Sequence, residues 1–350
     1  YHREQPAPVV PGEGASPAGK GHGFLVPSDP YQSLVPGTHP VSQLLARLIK
    51  PDMVIDPPDP EVGFVHRNLH NRQVYFLANT GVREKHLRGR FRVSGLCPWL
   101  FDAESGSVGP LHLYKAASGS TEVELKLAPH GSMFVVFTPD TVEPVEFTDL
   151  DQILKLDAEK GEVTGTSASN GDHEVRTAGR LFRASLDDLP APLVLTGPWR
   201  LKAEGGFDRR LQVLTSWTEF PELEGFSGTA SYQSEIVIPE SFTRDGRLLI
   251  LDLGDICDVA EVLMNGEPAG VVWKHPFALD VSRHSRPGRN ELEIRITNRL
   301  INRMRHQPPL PPPYANLKDR VPEPIRSGLL GPVRLRSVQV LALKAVQDDQ

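Results

Sequence analysis

The sequence predicts a mainly β chain, two antiparallel sandwich domains preceded by one short helix. Three observations carry this. Residues 251–281, LDLGDICDVAEVLMNGEPAGVVWKHPFALDV, are short apolar runs broken by turns. Their Asn265-Gly266 pair readily takes the positive φ values of a two-residue hairpin. The 350 residues include 30 Gly and 33 Pro, a density that suits short strands joined by turns rather than long helices. A helical period is visible near the start, where Val41, Leu44, Leu45, Leu48 and Ile49 share one face of a helix that must stop before Pro51.

The elements follow in order. Residues 1–40 read as loop, with a short strand at Gly23-Phe24-Leu25-Val26, and the start at Tyr1 reads as a cut end. Two to three turns of helix cannot bury themselves, so the apolar stripe of 41–49 must pack on something else. Prolines 51, 57, 58 and 60 make a stiff extended linker. Residues 61–140 form a sandwich. It begins with the runs Val62–Arg67 and Gln73–Asn79 around the turn-prone 68–71. Further strands lie at Leu87–Val93, Leu111–Tyr114, Thr121–Leu127 and Ser132–Phe137. Val123, Leu125 and Leu127 alternate with charged residues, one face dry and one wet, whereas Met133–Phe137 is apolar throughout, as for a strand covered on both faces.

Residues 141–194 are acidic and weakly patterned, peripheral strands and a linker with an evident loop at 165–171. Residues 195–345 form the last domain. Ala230, Tyr232, Ile236 and Ile238 alternate with polar neighbours, broken at Ser234, and Leu292, Ile294 and Ile296 do the same. A proline-rich excursion without regular structure fills the span from Asn302 to Gly328, and the segment 331–336 closes the fold.

Composition narrows the function. A net charge of -6 without a basic block leaves no footprint for nucleic acid. No run of ~18 apolar residues offers a membrane span. Cys97 and Cys257 are far apart in apolar runs and read as free buried thiols rather than a bridge or metal pair. There is no Gly-x-Ser-x-Gly elbow and no phosphate-cradling glycine loop. Asp252, Asp255 and Asp258 match no calcium loop and read as a solvated turn.

Several stretches carry a resemblance. Phe226-Ser227-Gly228-Thr229-Ala230, Leu251-Asp252-Leu253-Gly254, Val262 through Asn265-Gly266, Gly270, and Trp273 with Pro276-Phe277 resemble the galactose-binding-like jelly roll that accompanies many glycoside hydrolases. Leu195-Thr196-Gly197-Pro198-Trp199 resembles its entry. With Ser327-Gly328-Leu329-Leu330-Gly331-Pro332, and with FVHRNLHNRQVYFLAN at 64–79, the chain is similar to the C-terminal part of the α-L-rhamnosidases of glycoside hydrolase family 106. The resemblance implies that residues 1–60 are the remnant of a preceding catalytic domain and its linker. The catalytic carboxylates, and any calcium, then belong to an upstream (β/α)8 barrel, so no catalytic residue, metal ligand or cofactor is assigned to this chain. It also implies a rhamnose-containing glycan as ligand, an inverting mechanism on plant-derived rhamnosides, and an extracellular or periplasmic bacterial setting for the parent enzyme. A free-standing carbohydrate-binding protein and a structural contact module are the rival classes.

Two places invite a carbohydrate-binding role. His66 and Arg67, at a strand end, either line a sugar pocket at the mouth of the barrel or serve structure, His66 on a carbonyl and Arg67 on a surface acid. Trp273 with His275 offers an indole face for stacking on sugar C–H bonds and a polar neighbour to orient hydroxyls, or else Trp273 is core. Asn79 reads as a turn former, and Trp199 and Trp217 as packing residues.

Overall fold

A computed structural model of the chain describes residues 11–12, 23–24, 47–103, 105–307 and 310–346. The expected helix over 41–49 lies mostly outside these residues. Arg47 and Leu48 are helical, with Leu48 and Ile49 exposed. A two-stranded pair joins β1 (Pro11–Gly12) to β2 (Gly23–Phe24).

The first sandwich has a four-stranded and a five-stranded sheet. The former runs β3 (Met53–Asp56), β6 (Lys85–Phe91), β10 (Ser120–Leu127), β9 (Tyr114–Ala117). The latter runs β4 (Val62–Leu69), β5 (Arg72–Asn79), β11 (Ser132–Thr138), β7 (Cys97–Phe101), β8 (Val108–Pro110). Between them Tyr75, Leu77, Phe91, Val123, Leu125, Val135 and Phe137 make one core. The segment expected to be pure linker contributes a strand, β3. Met53 is buried and Val54 exposed, so even a proline-flanked tetrapeptide pairs with β6 when its alternation lets it cover Phe91. The run Leu111–Tyr114 is strand only from Tyr114 onward, and β7 and β8 arise where no alternation was legible.

The two outer faces differ in chemistry. On the four-stranded sheet, Arg88 and Arg90 stand across from Glu124 and Glu122, as expected of a wetted face. On the five-stranded sheet the registers line up Val65, Phe76, Phe134, Phe101 and Val108 in one row. Arg67, Val74, Val136, Trp99 and Pro110 form the next. Nine of these ten positions are apolar on the side facing away from the sandwich core. The apolar run read in Met133–Phe137 is explained: Val135 and Phe137 point inward, Phe134 and Val136 outward.

The middle segment supplies β12 (Phe147–Thr148), β13 (Gln152–Asp157), β14 (Glu162–Ser167), β15 (Gly171–Thr177) and β16 (Arg180–Leu186). These strands are closed by a residue run far away in sequence. The last strand, β28 (Arg334–Ala345), pairs with β14 and β16 and also with β17 (Leu193–Val194) and β21 (Arg247–Asp252). One twelve-residue strand thus joins the middle core, where Leu341 and Leu343 pack, to the final one, where Leu335 packs.

The final sandwich sets this sheet, with β25 (Ala278–Asp280) at its border, against a six-stranded one. The latter runs β19 (Phe207–Leu211), β18 (Trp199–Ala203), β20 (Thr229–Ile238), β26 (Gly288–Thr297), β23 (Val259–Met264), β24 (Glu267–Val272). A short pair, β22 (Asp255–Cys257) with β27 (Gly328–Gly331), lies beside them. Asn265 and Gly266 have φ 56° and 82° and connect β23 to β24 as the sequence predicts. Ser234, the break in the β20 alternation, faces inward and its hydroxyl donates to Pro198 O at 3.1 Å. Trp199 and Trp217 are fully buried. The proline-rich excursion is not wholly irregular: it holds α1 (Ile301–His306) and α2 (Leu317–Arg320). Asn302 of α1 ties the excursion back by donating to Ile325 O and accepting from Ile325 N. Cys97 and Cys257 are both free and half-buried. No helix among the described residues is long and apolar enough to cross a membrane.

The middle segment is clamped to the first sandwich at His112. Its Nδ1 donates to Glu143 O at 2.9 Å, Tyr114 Oη donates to Val142 O at 2.7 Å, and Val145 N donates to His112 O at 2.8 Å. Burial holds the His112 imidazole below its ordinary value, outweighing the hydrogen bond to Glu143. A His depressed in the fold takes up its proton more readily when unfolded, so stability falls as pH drops through the unfolded value of ~6.5. Thermal melts of the wild type and of His112→Gln should diverge above pH 7 and converge toward pH 5. Parallel curves would mean that His112 binds its proton equally in the folded and unfolded states.

Candidate functional site

His66 and Arg67 are neighbours on β4, the edge strand of the five-stranded sheet, and successive strand residues face opposite sides. His66 turns inward. Its ring stacks on buried Tyr75 at 4.2 Å with an interplanar angle of 4°. Nε2 meets Gln73 Oε1 at 2.8 Å and Nδ1 lies 3.2 Å from Asp52 Oδ2. Asp52 is also held by Arg92, which together with His66 keeps its carboxyl below the usual range. Burial pushes the Tyr75 phenol up to about 12, so it stays a donor, to Asp52 O at 3.3 Å. Both His66 nitrogens are therefore spent within the protein, on side chains rather than on the expected carbonyl. Arg67 is exposed on the outer face, at the end of the row Val74, Val136, Trp99, and among the described residues it pairs with no acid. The two side chains do not converge on one pocket.

Asn79 is structural, as its place at a strand end predicts. It is 2% exposed. Its Nδ2 donates to Arg83 O and Ala128 O, both at 2.8 Å, and its Oδ1 accepts from Gly81 N at 2.9 Å. Asn79→Ala strands these loop groups and should cost about 2–3 kcal/mol in urea unfolding. A cost under 0.5 kcal/mol would show that water replaces the amide.

Trp273 and His275 follow β24, the edge strand of the six-stranded sheet. The core reading fails for Trp273: it is 59% exposed, while Phe277 four residues on turns inward and packs in the core. Lys274 Nζ sits 5.6 Å from the indole centroid, within cation–π range. His275 is exposed and its ring lies 4.2 Å from that of Phe277, so the buried phenylalanine positions the imidazole. Val271, also 59% exposed, is two residues before Trp273 and widens the apolar spot. The arrangement is an exposed indole with polar groups beside it. Sequence reasoning missed Val271 and Lys274, although the alternation from Val271 to Trp273 was there to read.

Asp252, Asp255 and Asp258 do not converge. Asp258 bonds Arg299 at 2.9 Å, Asp255 lies 3.6 Å from Arg326, and Asp252 caps its own turn through Gly254 N at 3.0 Å. No group of three His, Cys, Asp or Glu side chains among the described residues could hold a metal. Where carboxyls of described residues are clearly shifted, they are shifted down, as Asp208 is by Arg200. A glycosidase acid needs the opposite direction.

Comparison with known proteins adds the relationship. The glycoside hydrolase family 106 model, described as alpha-L-rhamnosidase, matches residues 32–116. A Formosa agariphila protein named "Putative beta-glucuronidase" is 34% identical over 133 residues, 36% of this chain and 11% of that protein. The solved structure of a rhamnosidase from Novosphingobium sp. PP1Y superposes with a TM-score of 0.61 at 27% identity. That match covers 85% of this chain and 26% of the rhamnosidase, so the chain spans about a quarter of that protein's length. The chain is thus similar to family 106 α-L-rhamnosidases in sequence over residues 32–116 and to a rhamnosidase in fold over 85% of its length.

Proposed function

We propose that the chain is the accessory C-terminal part of a glycoside hydrolase, an α-L-rhamnosidase acting on plant-derived rhamnosides outside the bacterial cytoplasm, and that it packs against an upstream catalytic barrel. The observation that carries this is the outer face of the five-stranded sheet. An outer sheet face on a free-standing sandwich is ordinarily polar, and contiguous apolar surface marks a contact site. Here two cross-strand rows, Val65 to Val108 and Val74 to Pro110, carry aromatic and aliphatic side chains instead; Val65 and Val108 are exposed, Val136 is buried and the others are half-buried. The Trp99 indole N–H in the second row is buried with no partner among the described residues. The rows lack the paired donors and acceptors that hydroxyl groups require, which favours a protein surface over sugar as their cover. The catalytic carboxylates, and calcium if the enzyme uses it, would reside in the barrel.

The test is hydrolysis of 4-nitrophenyl α-L-rhamnopyranoside by this chain and by a form extended upstream through the barrel. Activity is expected in the extended form alone, with slower amide exchange along β4 in that form. Turnover by this chain alone would place a carboxylate pair among its strands and sink the reading. A second reading, a stand-alone carbohydrate-binding protein, is favoured by the open Trp273. It predicts that rhamnosides quench the fluorescence of this chain and that Trp273→Ala abolishes the quench. An unchanged quench in that variant would remove Trp273 from the reading.

A further inference from the structure

A cleft of about 720 Å³ lies where the outer face of the four-stranded sheet meets residues 144–146, within the ~300–1,000 Å³ of ligand sites. Its floor is polar. Arg88 of β6 stands across from Glu124 of β10, and Glu122 across from Lys115 of β9. Glu122 accepts from Arg90 Nε at 2.9 Å. The side chains of Arg88, Lys115 and Glu124 form no hydrogen bond or ion pair among the described residues, despite standing in register with opposite charges.

The far wall is apolar and fixed. Leu113, Pro144 and Val145 line it, and Val145 is anchored in the middle core. The three hydrogen bonds at His112, Tyr114 and Val145 lock this wall to the sheet, so the cleft exists before any ligand arrives.

We propose that this cleft is a saccharide subsite for a neutral, polyhydroxylated ring, separate from Trp273. The assignment follows from charge and shape. Cations and carboxylates share one floor, so an anion would meet Glu122, Glu124 and Glu146, and a cation would meet Arg88 and Lys115. A sugar hydroxyl both donates and accepts, and vicinal hydroxyls satisfy a carboxylate and a guanidinium together. The apolar wall covers the C–H face of the ring. The proposal rests on the carbohydrate-directed reading above and extends it to a second place on the chain.

Backbone-amide shift mapping with methyl α-L-rhamnopyranoside tests it. The expected result is movement of amides in 113–116, 122–124 and 145–146. Arg88→Ala and Glu124→Ala should each raise the dissociation constant there about tenfold. Both side chains are exposed, so melting temperatures should stay at the wild-type value. Shifts confined to 273–277 would overturn the cleft and leave the carbohydrate reading standing. No shift anywhere would also overturn the cleft, while the accessory-enzyme reading is judged separately by the extended chain's hydrolysis. Tighter binding of methyl α-D-galacturonide than of the rhamnoside would overturn the assignment to neutral sugars.

Discussion

Gly328→Ala is expected to destabilise the C-terminal sandwich by about 3–5 kcal/mol, lowering its melting temperature by roughly 10 °C. Gly328 opens β27 with φ 102°, a conformation that L side chains rarely adopt. A β-carbon there would lie 2.5 Å from Trp217 Nε1 and 2.6 Å from Tyr232 Oη. These two groups are the centre of the fold's largest core. Trp217 Nε1 donates to Tyr232 Oη at 2.6 Å, Leu329 N donates to the same oxygen at 3.1 Å, and Phe226 packs edge-on against the indole at 5.5 Å. Burial drives the Tyr232 hydroxyl far above its usual value, so it remains protonated. The added methyl must push the indole away and break at least one buried hydrogen bond. Tyr232→Phe, which keeps the ring and loses the hydroxyl that accepts both bonds, should cost only about 1–2 kcal/mol. Equal losses in the two variants would show that the clash is relieved and that the hydrogen bond alone matters.

Arg247→Ala is expected to cost about 3 kcal/mol, chiefly by detaching the middle strands from the last sandwich. The residue is 8% exposed overall. Its guanidinium donates from Nε to Gln339 Oε1 at 2.9 Å, from Nη2 to Asp188 O at 3.1 Å, and also to Ser241 O and the Asp188 carboxylate. One side chain thereby joins the end of the middle segment, the start of β21 and the shared strand β28. Asp188 is 48% exposed at its side chain, so water solvates it when the arginine is lost, and Asp188→Asn should cost about 1 kcal/mol or less. Urea unfolding followed by exchange at amides of 180–189 and 247–252 separates the two. If Asp188→Asn costs as much as Arg247→Ala, the pair acts as a buried ion pair and the carbonyl contacts are secondary.

The β architecture was legible because it rests on local rules. Alternation placed β10, β20 and β26, and Asn265-Gly266 placed a hairpin, since side-chain direction and turn φ depend on near neighbours. The continuous apolar run of Met133–Phe137 was legible as apolar on both faces, but not which neighbours line each side. The rows Val65 to Val108 and Val74 to Pro110 exist only through four strand registers, and register between distant segments is not written in either segment.

The site was less legible than the fold. His66, next to Arg67, reads as a pair in sequence, and the pleat sends one inward and one outward. Trp273 reads first as core and only second as a platform, and the sheet edge decides for exposure. The cleft at Arg88, Lys115 and Glu124 draws on three strands and a loop, so no single stretch announced it.

By itself the sequence determined the class of fold, the free state of its two cysteines and the similarity to rhamnosidases. These depend on composition, local period and short motifs. Only the tertiary structure decided that β28 binds the middle strands to the last sandwich, that one outer sheet face is apolar, and which side chains are left without partners. These depend on pairing between residues tens to hundreds of positions apart. Their free energy is shared between segments and carried by neither alone.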